Sequence, residues 1–563
     1  MLKDHPKGLF VAFFANMGER FGFYTMVAIF IMFLQAKYGF DAAKASQIYG
    51  LFMGGVYFLP LMGGYIADRF LGYGKTVSLG LIVMFLGYLL LAIPSGMGQG
   101  FGFVVGALAV IAFGTGLFKG NLQTLVGNLY DDPKYKDKRD NAFNIFYMGI
   151  NIGAMFAPTA AEKVSNWILS TFHYTYDARI PALANTFLKG ELKDPTQFLS
   201  VAQAQDPSVT MESLGTFSEK YITALSQSYH YAFGVACVSL IVSMIIYWTF
   251  IKHYRHAMGT EKQKARKAAE AGTKVVELTP SQTKERIVAL LLVFAVVIFF
   301  WMSFHQNGVC MTYFARDYTQ HSVSQAANLW FDVFGLLSVF LSVVGLVFIV
   351  RKTSGAKTRI IGALVFIAFG ILAYLRYNSY LDVNPITPQK FQQMNPFFIV
   401  ALTPLVVGFF SWLARKGKEP SAPRKIGIGM LITAVGFLVL VLASRGLTSP
   451  KDLHQLVAPD KMLISPMVLI SSYFILTIAE LFVSPMGISF VTRVAPPKYK
   501  GLMMGGWFAA TAIGNYLLSA IGYLWGILPL WGLWTVLVVC TLLSATFIFS
   551  VMKRLERATV SSS

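Results

Sequence analysis

Apolar residues in this chain are gathered into runs of roughly 20, fourteen times over. The runs begin near Gly8, Ala43, Thr76, Phe101, Asn141, Tyr229, Ile287, Leu329, Ile360, Gln392, Ile426, Ile464, Leu502 and Trp531. A helix rises about 1.5 Å per residue, so each run can span the roughly 30 Å hydrocarbon layer of a bilayer. Inside that layer the backbone must bond to itself, which leaves helices or closed barrels. The alternating segments of about ten residues that mark a barrel do not occur. Composition agrees: 13% of the 563 residues are charged and 55% are apolar, against about a quarter charged in a soluble domain. The expectation is an all-α membrane protein with fourteen spans.

The loops assign a direction. Most of the 47 Lys and Arg cluster on alternate connections, at 134–139, 252–286, 351–359, 415–425, 493–500 and 553–557. Positive loops are retained on the cytoplasmic side, so these connections and both termini are expected inside. The net charge of +20 then reports topology and contact with an anionic leaflet, and no nucleic-acid partner is expected. Lys3 and Lys7 precede an apolar run too long for a signal peptide and interrupted by Glu19 and Arg20, so it reads as a retained first span. Cys237, Cys310 and Cys540 lie in or beside apolar runs, which suits small core residues better than a disulfide framework.

Residues 1–252 carry six spans, with a polar outer insertion at about 164–228 that holds a candidate amphipathic helix from Ile180 to Leu192. It reads as a passive insertion or as a cap on the outer face. A basic connection follows at 253–286, Ala-rich and helical in character from Glu261 to Ala271, where a two-lobed transporter puts its interdomain linker. Residues 287–563 carry the other eight spans.

Charges at membrane depth cost about 2.5–3.5 kcal/mol each on insertion scales and need partners, so function is sought there. Glu19 and Arg20 stand about 17 Å along the first span, and Lys119 reaches a similar depth on the fourth. Glu480 lies near the middle of its span, and His305 is nearer the outer face. Adjacent Glu19 and Arg20 point roughly 100° apart on a helix, which predicts that each reaches another helix or a cavity rather than its neighbour. The competing reading is a structural pin that neutralises Glu19, Arg20 and Lys119 against one another. Pro485 and Gly487 follow Glu480 and are expected to break the backbone ladder beside a ligand-facing carboxylate. His305 reads either as a core or gate residue or as a proton site.

Enzyme signatures are missing. Gly74-Lys75-Thr76 ends like a phosphate loop, but Arg69 occupies the first glycine position, and neither HExxH nor GxSxG occurs. Neither catalysis nor a metal or organic cofactor is expected.

Several short motifs occur in one order. They are Glu19-Arg20-Phe21 with Tyr24, Gly63-Gly64-Tyr65-Ile66-Ala67-Asp68-Arg69 with Gly74-Lys75, Phe118-Lys119, and Phe146-Tyr147-Met148-Gly149-Ile150-Asn151-Ile152-Gly153. Phe300-Trp301 with Gln306 and Gly308, Asn395-Pro396, Glu480 with Ser484-Pro485, and Met504-Gly505-Gly506-Trp507 follow. In these the chain resembles the proton-dependent oligopeptide transporter family of the major facilitator superfamily. The resemblance implies two six-helix bundles plus an accessory helix pair at about 329–377. It also implies a monomeric, proton-coupled importer of di- and tripeptides in the bacterial cytoplasmic membrane, working by alternating access. Glu480 and Asn395 would receive a peptide's amino group, and Lys119 and Arg20 its carboxylate. Tyr24, Tyr57, Asn151 and Trp507 would line the pocket, and Glu19 would couple protons. A same-fold carrier of another small solute, or a sensor that does not transport, are the alternatives.

The departures from the pattern are Asn16 for its first acid, Phe23 for a tyrosine, Gly120 for a proline, Val27 for an outer arginine and His305 for the seventh-helix acid that faces it. His305 is therefore a second candidate for proton coupling. The accessory pair follows the seventh core helix, whereas bacterial members usually carry it between the sixth and seventh.

Overall fold

The computed structural model describes residues 5–94, 100–131, 134–135, 138–259, 278–351, 354–453, 463–496 and 499–560. The first half contains α1 (Lys7–Tyr38), α2 (Ala42–Phe58) running on into α3 (Pro60–Ile66), α4 (Tyr73–Ala92), α5 (Phe101–Asn128), α6 (Arg139–Thr171), α7 (Ile180–Leu188), α8 (Thr196–Gln205) and α9 (Leu214–Thr249). The second contains α10 (Pro280–Phe304), α11 (Cys310–Asp317), α12 (Val333–Val350), α13 (Ala356–Asn378), α14 (Met394–Arg415), α15 (Ala422–Ala443), α16 (Pro466–Val494), α17 (Lys500–Leu524), α18 (Leu530–Ser550) and α19 (Met552–Val560). Among the described residues, 12 helical stretches are long and apolar enough to cross a membrane, with α2–α3 and α10–α11 each counted as one. The helices α6 and α17, of 33 and 25 residues, occupy the two remaining expected positions. The Ala-rich segment 261–271 lies outside the described residues.

Small residues set the close approaches. In the Gly149-to-Gly153 stretch of α6, a side chain at Gly149 would meet the Phe13 ring and one at Gly153 the Met17 carbonyl of α1. Without water to drive helices together, such backbone proximity is what holds a membrane bundle. The motif glycines here therefore seat α6 on α1.

The outer insertion is a packed cap. Ile180, Ala184, Phe198, Val201, Phe217 and Tyr221 are buried together, and α9 starts at Leu214, well before the apolar run near Tyr229, because its first turns join this cluster. Gly39 ends α1 in the left-handed region (φ 57°), which glycine adopts without strain. Asn185 donates to the Ala36 carbonyl at 3.0 Å and Lys189 to the Gly39 carbonyl at 2.9 Å, so the insertion caps the open end of the first helix.

The accessory pair is a self-contained loop. Strands β1 (Ser322–Ser324) and β2 (Val383–Pro385) pair antiparallel at its base, with Val323 opposite Asn384. Beyond them α12 and α13 pack through Gly345 and Gly362, and Asp332 and Arg376 form an ion pair at 2.7 Å. Only Gly362 of α13 is buried, so this helix faces outward.

Bonds joining the halves gather on the side away from the termini. Ser46 meets the Tyr313 hydroxyl at 3.2 Å, Arg316 donates to Gln35 at 2.6 Å and Gln392 to the Ala28 carbonyl at 3.4 Å. Glu162 and Thr159 of α6 bond to residues just before α14.

Candidate functional site

The first half supplies cations and tyrosines near mid-membrane. Glu19 and Arg20 are almost fully buried on α1, and Arg20 Nε and Nη2 each donate to a Glu19 carboxylate oxygen at 2.5 Å. This corrects the expectation that the two cannot pair. Adjacent Cβ atoms diverge, but an arginine side chain is long enough to fold back, and burial makes a two-pronged carboxylate contact the best available to either ion. The Arg20 guanidinium also lies 4.5 Å from the Phe23 ring centre. Lys119 of α5 takes no part in that pair and sits 3.6 Å over the Tyr57 ring, a cation–π contact.

The second half supplies the acid. Asn395, at the start of α14, donates its amide to Glu480 Oε2 at 2.8 Å and to Thr477 Oγ1 at 3.1 Å, which fixes the carboxylate on α16. Tyr24 and Tyr57 each lie within electrostatic reach of both Arg20 and Glu480, so one pair of tyrosines interacts with charged groups from both halves. The helix α16 continues through Pro485 rather than breaking there. Its effect is local: a side chain at Gly487 would collide with the Trp507 ring, so glycine makes room for that indole. Trp507 is buried, with its ring 6.5 Å from Phe294. Asn151 is half-buried and donates back to the Tyr147 carbonyl of its own helix at 3.1 Å.

His305 closes α10 and opens a short 3-10 turn to Gly308. Its ring stacks on Trp301 at 4.9 Å and lies 6.0 Å from Tyr57, which in turn covers Lys119. Neither Val27, buried in the apolar core, nor His305 provides the charge found there in the family pattern. Asn515 of α17 is within interaction range of His305, and both its amide atoms, His305 Nδ1 and Trp301 Nε1 are buried without a hydrogen-bond partner among the described residues.

Sequence reasoning passed over Thr477 and Asn515. Both carried a signal, since Thr477 precedes Glu480 by three residues and Asn515 follows Trp507 by eight, spacings that keep each pair on one helix face. Among the described residues no three His, Cys, Asp or Glu side chains are placed to hold a metal ion. A groove of about 810 Å³ lies away from this site, at the terminal face between α10 and α19, lined among others by Glu285, Arg286, Lys553, Arg554 and Arg557.

Comparison with known proteins gives a consistent result. A peptide transporter of Yersinia enterocolitica, YePEPT, is 28% identical over 92% of this chain and 88% of its own length. The dipeptide and tripeptide permease B of Xenorhabdus bovienii is 26% identical over 93% of this chain and 88% of its own length. The crystal structure of a POT peptide transporter with alafosfalin bound superposes with a TM-score of 0.65 at 22% identity, covering 98% of this chain and 96% of that one. The model of the POT family matches residues 74–271 and 377–525, more than half of the chain. A multi-pass helical protein carrying that family's motifs in order, and matched by its model in both halves, this chain belongs to the POT family of peptide transporters.

Proposed function

We propose that the protein is a proton-coupled symporter that imports di- and tripeptides by alternating access, in a bacterial cytoplasmic membrane with both termini inside. One observation carries this reading. Arg20 from the first half and Glu480, held by Asn395, from the second both act on Tyr24 and Tyr57, and Lys119 lies over the Tyr57 ring. A zwitterionic peptide needs a cation at its carboxylate and an anion at its amine, and partial burial strengthens both contacts. Lys119 is the cation available to a peptide carboxylate, because Arg20 is occupied by Glu19. Release of Arg20 requires that Glu19 lose its charge, so a proton on Glu19 would free Arg20 for substrate and couple the two. The basic groove and basic loops on the terminal side support the cytoplasmic assignment of that face.

The test is counterflow in proteoliposomes with a panel of dipeptides, tripeptides, free amino acids and nitrate, with and without an inward proton gradient. Exchange of di- and tripeptides that becomes accumulation under the gradient supports the proposal. Exchange of amino acids or nitrate alone assigns another solute, and binding without exchange assigns a sensor.

A further inference from the structure

Glu162 is a carboxylate that the peptide site does not use. It lies on α6 about 14 Å short of that helix's outer end at Thr171 and is 5% exposed. Its two oxygens are both engaged across the interface between the halves: Lys390 Nζ at 3.2 Å from one and the Thr387 hydroxyl at 2.8 Å from the other. One turn along α6, Thr159 donates to Gln393 at 2.9 Å. The partners sit on the short segment Pro388–Gln393 and the residue before it, which leads directly into α14 and Asn395. Between α6 and the segment before α14 the halves are thus joined by an ion pair flanked by two hydroxyl hydrogen bonds.

We infer that Glu162 is a proton-binding latch of the outer gate: ionised it holds the gate shut through Lys390, and protonated it lets the gate open. The inference rests on the alternating-access reading. A neutral Glu162 keeps a hydrogen bond with Thr387 but offers Lys390 no counter-charge, and closing the gate would then bury an unpaired ammonium, which is costly. In the opened gate Lys390 is hydrated, and the proton on Glu162 comes from external water. Reclosure requires the carboxylate to release that proton. The sign follows: the ion pair stabilises the closed state while Glu162 is ionised and is lost as external pH falls, so acid outside favours the outward-open form.

The other ionisable groups around α6 are engaged elsewhere. Glu19 and Arg20 on α1 bind each other, Lys37 on α1 contacts His230 on α9, Arg316 and Asp317 on α11, which packs on the segment that carries Lys390, bind each other, and Asp332 before α12 binds Arg376. Lys163, next in sequence, turns to the Phe334 ring at 6.0 Å. Lys390 is the charge that answers Glu162.

The experiment uses full-length protein in proteoliposomes with the three native cysteines replaced and a cysteine at Ala28, a buried position whose carbonyl accepts from Gln392 beside the latch. Labelling by an impermeant maleimide from outside is normalised at each pH to a cysteine at exposed Ser379, which removes the thiol's own titration. With Glu162 and Lys390 intact, the normalised rate should rise severalfold as external pH falls from neutral to acid. Glu162→Gln should label at the fast rate at every pH, and the swap Glu162→Lys with Lys390→Glu should restore slow labelling at neutral pH and its response to acid. A Glu162→Gln protein that labels slowly and responds to pH as the parent does overturns the inference, as does a swap that stays open while retaining a monodisperse fold. Dipeptide counterflow by the parent is measured in parallel: its absence with the labelling pattern intact would refute the peptide substrate and leave the alternating-access latch standing.

Discussion

Gly487 has no side chain because the Trp507 ring occupies the space a side chain would need. Gly487→Ala should push the indole out of its seat at a cost of about 1–3 kcal/mol, the range for overpacking a fitted site. The readout is a raised KM for dipeptides at retained expression; an unchanged KM would show that Trp507 does not shape the pocket. Glu480 is held by Asn395, and a bound amine would replace the amide as its strongest partner. Glu480→Gln keeps that shape and removes the charge. A buried cation left without it costs about 1–3 kcal/mol or more, so uptake of peptides with a free amino terminus should fall at least about tenfold, while N-acetylated peptides should show little further loss. His305 raises a question of sign, because a carboxylate becomes neutral on taking a proton whereas an imidazole becomes positive. Its ring stacks on Trp301 and lies tilted beside Tyr57, the ring that Lys119 sits over, so a charged imidazole would stand near a second cation. If His305 couples protons, His305→Gln keeps counterflow and loses or shifts pH-driven accumulation between about pH 5.5 and 8, the range around an ordinary imidazole pKa. Unchanged accumulation across that range assigns coupling to Glu19.

At the scale of elements, the accessory pair shows how an insertion can be carried without disturbing a bundle. Its two ends meet in the β1–β2 pairing, so α12 and α13 leave and return at one point, and the seventh and eighth core helices keep their places. Two crossings return the chain to the side it left. Single cysteines at Gly355 and Asp382, both exposed, should therefore label from opposite sides of the membrane, the first inside and the second outside. Labelling of both from one side would reduce the span count. Residues 386–389 are unsuitable probes even though they follow an outer loop, because the structure buries them between the halves. The outer insertion, readable from sequence as either passive or capping, is a cap: it bonds the last carbonyls of α1 and extends α9 outward. That outcome depended on side chains some 150 residues apart meeting, which no local pattern contains.

For the molecule as a whole, the bonds between the halves gather on the side away from the termini, and in the proposed transport cycle that side is the closed outer gate. One proton moving down about 100 mV supplies about 2.3 kcal/mol, enough for roughly fiftyfold accumulation of a neutral solute, so a steady-state ratio far above that at one proton per peptide would contradict single-proton coupling. The all-helical, membrane-spanning architecture and the family were legible from the chain alone. Membrane insertion is dictated by local apolar length, and the motifs are contiguous stretches. Lys119 and Glu480 could be nominated because a charge inside an apolar run stands out without knowledge of its neighbours, and Asn395 and Trp507 because they lie in motifs that resemble the family's. What each residue does to another was not legible. That Glu19 folds onto Arg20 and leaves Lys119 to Tyr57, that Asn515 stands beside His305, and that Glu162 reaches Lys390 across the gate were decided by tertiary packing. Contact between distant helices is set by close-packed geometry and by the search of each buried charge for a partner, and neither is encoded in the periodicity of any one span.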